Sequence, residues 1–503
     1  MNPKFDELKN RLMEVNDINS AASVLNWDQL TYMPPGGAPA RGRQLATLSR
    51  IAHEKFIDPA IGRLLDDLRS DEESLPYDSD EASLIRVARR EYEKSIKVPS
   101  EFIAELNQHS TAAYQAWAAA RPANDFAKVL PYLEKTLDYS RRLANYFPGY
   151  AHIADPLIDF SDHGMTVAII RPLFTRLLEQ LVPLVQAITD QAPADDACLH
   201  QAFHEDQQLA FGTELIAAIG YDFNRGHVDR TLHPFMTKFS LGDVRITTRF
   251  DKNFFGDTPF SMLHEAGHAL YEQGIRMDFE GTPLAGGTSS GVHESQSRLW
   301  ENLVGRSRSF WEFFYPKAQA AFPAQFKNIS LDHFYRAINS VRRSLIRTES
   351  DEVTYNLHVM IRFDLEVEML EGGLAVRDLA EAWRERYRTD MGLAPKDDKD
   401  GVLQDVHWYG GTIGGSFQGY TLGNIMGAQF FAAANQAQPA LQKDIAHGQF
   451  ADLLTWLREN IYQFGRKFTA TEIVQRVSGG PLSIDPYIQY LRTKYGELYK
   501  LRS

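Results

Sequence analysis

Apolar residues return at steps of three and four along most of this chain, and that spacing commits it to helices. Phe5, Leu8, Leu12 and Val15 form the first such stripe. The same periodicity predicts long helices over roughly 100–120, 125–146, 166–190 and 201–219. Punctuation agrees with it. Met33-Pro34-Pro35-Gly36-Gly37 reads as a turn, and Asp58-Pro59 as an N-cap with proline in the first helical position. Ser79-Asp80-Glu81 opens an amphipathic run that ends near Pro99.

One stretch departs from this pattern. Residues 243–250 alternate polar and apolar, with β-branched residues on the apolar side, and predict a strand. A Gly/Ser/Thr-rich loop follows from Ala285 to Gly291, and a second Gly-rich stretch runs from Gly410 to Gly423. Helical pattern resumes from Asn424 to about Tyr462. No repeat, low-complexity linker or charge block divides the 503 residues. The expectation is a mainly α fold in one domain, 1–503, with a small β-sheet beside the functional helix.

Charge narrows the partners. Asp plus Glu number 66 against 53 Lys plus Arg, a net charge of -13. Nucleic acid and anionic membranes call for a basic surface, so neither is expected as the main partner. No stretch approaches the ~18 uninterrupted apolar residues of a membrane span. The N-terminal MNPKFDELKNRLMEVNDINS has no signal-peptide apolar core, and Cys198 is the only cysteine. A cytoplasmic setting is the expectation.

Residues 264–268 read His-Glu-Ala-Gly-His. Thr258 and Pro259 look like the N-cap and first position of the helix that carries them. His264 and His268 then lie one turn apart on one face and can reach a single zinc ion, with Glu265 beside it to hold a water. The bland alternative is two surface histidines on an amphipathic helix. Gly267 argues against it, because a helix-interior glycine costs about 1 kcal/mol and suggests a close approach by backbone or ligand. A catalytic zinc needs a third protein ligand. Glu294, in His293-Glu294-Ser295-Gln296 at the start of the next helical run, fits the two-His-one-Glu pattern. It would equally suit a helix N-terminus as a plain macrodipole glutamate. The strand at 243–250 would either hold substrate as an added strand or serve structure alone.

The motifs together resemble the carboxypeptidase Taq family of zinc metallocarboxypeptidases. His233-Pro234-Phe235 matches HPF, and Asp243, Arg245 and Thr247 match DxRxT. The HExxH and HESQ segments follow in order. Ile346-Arg347 with Ser350-Asp351 match I-R-x-x-A/S-D, and Gly401, Gln404, Asp405, His407 and Trp408 match GxxQDxHW. Leu25 to Asp28, Met33-Pro34, Pro486-Tyr487 and Tyr490-Leu491 extend the likeness over nearly the whole chain. One segment departs: many members carry Tyr-Phe-Pro after GxxQDxHW, where this chain has Gly414 to Tyr420. That leaves side-chain preference open.

The resemblance implies a helical fold around a long, deep groove with zinc at its floor, and a homodimer. It implies removal of single residues from peptide C-termini with broad specificity. It makes His264, His268 and Glu294 the zinc ligands and Glu265 the general base; cobalt or manganese suits the same donors. Arg347 is the first candidate for the substrate's free carboxylate and Arg245 the second, though Arg347 could instead serve a salt bridge and Arg245 pair with Asp243. His407 and Tyr420 are candidate oxyanion donors. His233 and His293 would line the pocket or orient a ligand, and Asp405 would orient a metal-ligand histidine. Two rival readings remain: a zinc endo- or oligopeptidase, and a non-catalytic helical zinc-binding scaffold.

Overall fold

Helix starts in this protein follow the local chemistry of their first residues. Asp58 Oδ1 accepts the Ala60 amide at 2.8 Å, and Ser79 Oγ accepts that of Ala82 at 3.2 Å. Thr469 and Glu472 form a reciprocal capping box at the start of Ala470–Ser478. These caps satisfy amides that the helix itself leaves free. The computed structural model describes residues 2–501, and helices dominate them.

Two apolar clusters organise the helices. The smaller joins Leu8 and Leu12 of the first helix, Pro3–Thr31, to Ile61, Leu64, Leu84, Ile85, Leu241 and Phe279. The larger gathers nearly all the other buried apolar side chains, from Phe102 to Tyr499. Helix Ala38–Phe56 buries only Ala52 and leans on the first helix, whose Asn16 lines the cleft described below.

The sheet has three strands among the described residues: β1 (Val228–Arg230), β2 (Met236–Ser240) and β3 (Asp243–Thr248), in the order β1-β3-β2. β3 pairs parallel with β1 and antiparallel with β2, and Ile246 faces both Val228 and Met236. The strand expected at 243–250 ends at Thr248. Thr247 couples two motifs, since its Oγ1 accepts the Phe235 amide at 2.9 Å and its own amide donates to Phe235 O at 2.9 Å.

The motif helix, Asp257–Gln273, packs against β3 and against Ser290–Arg298. It begins earlier than Thr258 suggests: Gly256 is the cap, and the Thr258 hydroxyl instead donates to Arg249 O at 3.0 Å. The histidines therefore sit mid-helix. A Cβ on Gly267 would lie 2.6 Å from Gln296 O and from Ser297 Cα, so the close approach is by backbone.

The Gly-rich stretch also differs from expectation. Helix Gln418–Ala437 starts six residues before Asn424 and breaks before Tyr462, with Leu441–Ala446 and Ala451–Asn460 following. Gly419, Gly423 and Gly427 form a stripe on it. A Cβ on Gly423 would meet the Glu294 side chain at 2.6 Å. These glycines let the helix lie directly on Ser290–Arg298 rather than end it.

Candidate active site

The cleft between the first helix, the sheet and the motif helix has a volume of about 790 Å³. Asn16, Met236, His264, His268, Glu294 and Tyr420 are among its lining. Glu265 also lines it, while Arg347, His407, Arg245 and His233 do not.

His264 and His268 project together because they are one helical turn apart. Glu294 comes from Ser290–Arg298, whose start is fixed twice: Ser289 Oγ accepts the Val292 amide, and buried Asp162 accepts that of Gly291 at 2.7 Å. Glu294 Oε2 lies 3.9 Å from His264 Nε2 and 3.5 Å from His268 Nε2. Two ligands at ordinary zinc distances and a tetrahedral angle stand about 3.3 Å apart, so the spacing suits one ion. The ligand atoms of all three residues lie within 4.8 Å of one another.

The outer partners decide which ring nitrogens are free. His264 Nδ1 donates to Glu301 Oε2 at 2.9 Å, leaving Nε2 as an acceptor. His293 Nε2 donates to Glu272 Oε1 at 2.9 Å, so its Nδ1 accepts from His268 Nδ1 at 2.6 Å. His268 Nε2 is then an acceptor too. Glu294 Oε1 takes Arg298 Nε at 2.8 Å and keeps Oε2 for the centre. Two imidazole lone pairs and a carboxylate oxygen thus face one point with no donor among them. A cation satisfies such a set, and a proton satisfies only part of it.

Burial pushes the His268 ring down to about 4, against the pull of Glu294, so it is neutral near pH 7. Burial also acts on His264, but Glu294 and Glu301 outweigh it and raise that ring. Glu294 is held well below the ordinary carboxylate range: burial opposes this, and Arg298 and His264 overcome it. Glu265 goes the other way. Burial, with Glu294 and Glu301 nearby and His264 opposing, lifts its carboxyl to about 7. A group that takes and returns a proton near neutrality has this character.

Behind Tyr420 lies a second network. Arg347 Nε and Arg362 Nε each reach Asp405 Oδ2 at 2.8 Å, and His407 Nδ1 bonds Asp405 Oδ1. His407 Nε2 stands 3.3 Å from the Tyr420 hydroxyl, and Arg347 Nη1 reaches the Tyr355 hydroxyl at 3.1 Å. Asp405 therefore orients His407, not a metal-ligand histidine as the sequence suggested. The partners of His264 and His268 are Glu301 and His293. Arg245 forms two 2.8 Å bonds to Asp243 and stacks on Trp27, and exposed His233 precedes the lining residue Pro234.

Sequence reasoning missed Glu301, Arg298, Glu272 and Lys238. Arg298 was within reach of it, four residues after Glu294. Glu301 was not, because the chain winds as a π-helix over Leu299–Val304 and shifts its face. Lys238 neutralises Glu272 at 2.6 Å from β2, a partner only the fold reveals.

The family profile described as Carboxypeptidase Taq (M32) metallopeptidase matches residues 7–495. The chain belongs to that family. It is accordingly a metallocarboxypeptidase, a hydrolase. It is 42% identical to thermostable carboxypeptidase 1 of Thermus thermophilus, over 95% of this chain and 96% of that one. It is 35% identical to carboxypeptidase 1 of Bacillus subtilis, over 99% and 98%. Among solved structures, the M32 carboxypeptidase of Deinococcus radiodurans superposes with a TM-score of 0.96 at 49% identity, covering 99% of each chain. The Pyrococcus furiosus carboxypeptidase superposes at 0.94 with 31% identity, over 98% and 99%. Those likenesses agree with the mainly helical fold and with the family expected from the motifs.

Proposed function

We propose that this single-domain enzyme removes residues one at a time from the free C-terminus of peptides, using zinc held by His264, His268 and Glu294. The carrying observation is the convergence of two Nε2 lone pairs and Glu294 Oε2 on one point beside Glu265. Cobalt or manganese is compatible with the same donors. When bound, the ion supplies Lewis-acid polarisation and a more acidic water.

The chain's own residues supply the rest. Glu265, with a carboxyl near 7, accepts the proton of the attacking water and passes it to the leaving amine. Tyr420, which lines the cleft, donates to the developing oxyanion, and His407, 3.3 Å behind its hydroxyl, positions it. Arg347 takes the substrate's terminal carboxylate. Its long 3.4 Å contact from Nη2 to Asp405 leaves that nitrogen with spare capacity for a second carboxylate. Arg245 and His233 remain at the rim, beyond the lining residues, for more distant parts of the peptide. Family resemblance supports a homodimer, which sedimentation tests; the N-terminal composition and the single cysteine support a cytoplasmic setting, which fractionation tests.

The deciding experiment uses one peptide as free acid and as C-terminal amide, with and without chelator, read by mass spectrometry. Stepwise, chelator-sensitive shortening of the free acid alone is expected. Internal cuts in both peptides would make the enzyme an endopeptidase, and no cleavage after metal reconstitution would leave a scaffold.

A further inference from the structure

Next to the metal cleft lies a second cavity, of about 360 Å³, that the mechanism above does not use. Its walls come from helix Asp80–Lys97, from the segment around Asp159 and from residues 466–469. Arg466 and the 159–161 segment connect the two spaces: Arg466 lines both, while Asp159 lines this cavity and Phe160 and Ser161 line the metal cleft.

The charge here runs against that of the whole molecule. Seven Lys or Arg residues line the cavity with four Asp or Glu, on a chain whose net charge is -13. The pairing is also incomplete. Arg90 Nε and Arg466 Nη2 both depend on one oxygen, Glu91 Oε1, at 3.1 and 2.8 Å. Among the described residues, Arg90 has no other ion pair, Lys97 has none, and Arg86 bonds only neutral acceptors. Burial and the neighbouring Arg466 both disfavour the charged form of Arg90, as expected of a guanidinium short of anions. Arg89, Lys94 and Lys467 pair with Glu72, Asp159 and Asp80, while Arg86 and Lys97 bond no carboxylate and Arg90 shares Glu91 with Arg466; Glu93 and Glu472 are the remaining acidic groups of the wall. A half-enclosed space with surplus cations attracts a carboxylate more strongly than an open surface does, because solvent screens it less. Tyr77 and Tyr150 add hydroxyl-bearing rings to the wall, suited to a peptide side chain and its backbone.

We propose that this cavity is an extension of the substrate site that takes acidic side chains of the peptide upstream of the bond cut, so that the enzyme favours peptides with Asp or Glu at a defined distance before their C-terminus. The inference rests on the reading of the metal cleft as a peptide site. The preference comes from Arg86, Arg90 and Lys97 and not from the metal or its ligands.

The test is a set of free-acid peptides in which one Glu is walked through successive upstream positions, each matched to a Gln peptide, with kcat/KM read for the first residue released. The Glu/Gln ratio is expected to rise about five-fold over a short window of positions, the scale of one partly screened charge pair. The gain lies in KM and disappears at high salt. In Arg90→Gln and, separately, Lys97→Gln, the ratio falls towards one. Equal rates for Glu and Gln at every position would overturn the proposal, as would a preference that both variants retain. Loss of the Glu preference in phosphate but not in chloride of equal ionic strength is expected for a carboxylate subsite. Phosphate binding abolished by Arg90→Gln, with no Glu preference at all, would reassign the cavity to a free anion. Fluorescence anisotropy of the same labelled peptides separates the two readings: if no peptide is shortened, the carboxypeptidase reading fails. Tighter, Arg90-dependent binding of the Glu peptides would then still support the cavity's role, and equal binding of Glu and Gln peptides would refute it.

Discussion

The cleft floor and the network behind Tyr420 solve opposite problems with the same parts. On the metal side acceptors converge: two ring nitrogens and Glu294 Oε2 face one space, fixed from behind by Glu301, His293 and Arg298, and the Glu265 carboxyl lines the same cleft. On the other side donors converge: Arg347 and Arg362 share the single carboxylate of Asp405, which also holds His407. The first side offers acceptors only, and the second has two guanidiniums for one carboxylate. Under the proposed function an ion completes the first set and a terminal carboxylate the second.

Removing the proton acceptor tests the first side most severely. Glu265→Gln keeps size and hydrogen bonding but cannot take a proton, and kcat should drop about 1000-fold while bound metal stays at wild-type level. Lost activity with lost metal would mean that Glu265 supports the site and does not act in the reaction. The donor side gives the next largest effect. Arg347→Met should lower kcat/KM for free-acid peptides about 100-fold, as expected for the loss of charged hydrogen bonds. Arg362 still neutralises Asp405, so thermal stability should change little. An equal, small loss for free acids and amides would break the comparison, because Arg347 would then serve only Asp405.

The outer partners give a finer test. Glu301→Gln removes the charge behind His264 without touching the ligands, and metal affinity should fall about 10- to 100-fold by competition with a chelator. Unchanged affinity would mean that His264 is oriented by packing alone.

How far the sequence revealed each side follows the same division. On the metal side the sequence showed which residues come together: His264 and His268 share a helix turn, and Glu294 heads a recognisable segment. Its supports were not legible, because a π-helix turns Glu301 inward and Lys238 arrives from a strand. On the donor side Arg347, His407 and Tyr420 were visible as residues, but the partner of Asp405 was not. Spacing along the chain says nothing of contacts across more than fifty residues, such as Arg347 to Asp405. The Gly-rich segment misled for a physical reason. Glycine usually weakens a helix, but Gly419, Gly423 and Gly427 buy the close packing of Gln418–Ala437 on the helix of Glu294.

The smallest effect concerns what stands behind His407. Trp408, the next residue, donates its Nε1 to Glu366 Oε1 at 2.6 Å. Burial pushes the Glu366 carboxyl up to about 8, against the help of that bond, so the folded enzyme keeps it protonated at neutral pH. The unfolded chain releases that proton near the ordinary value of about 4.5. Between these values the folded state binds more protons than the unfolded one, so this residue makes stability fall as pH rises from about 4.5 to 8 and adds no slope above. Glu366→Gln is neutral at every pH and removes its share of the fall. Urea unfolding at pH 5.5 and 8.5 should show wild type losing more stability than the variant, by about 3 kcal/mol. Equal losses would mean that Glu366 is ionised in the fold, and the donor side would then carry a second carboxylate to offset its surplus guanidinium.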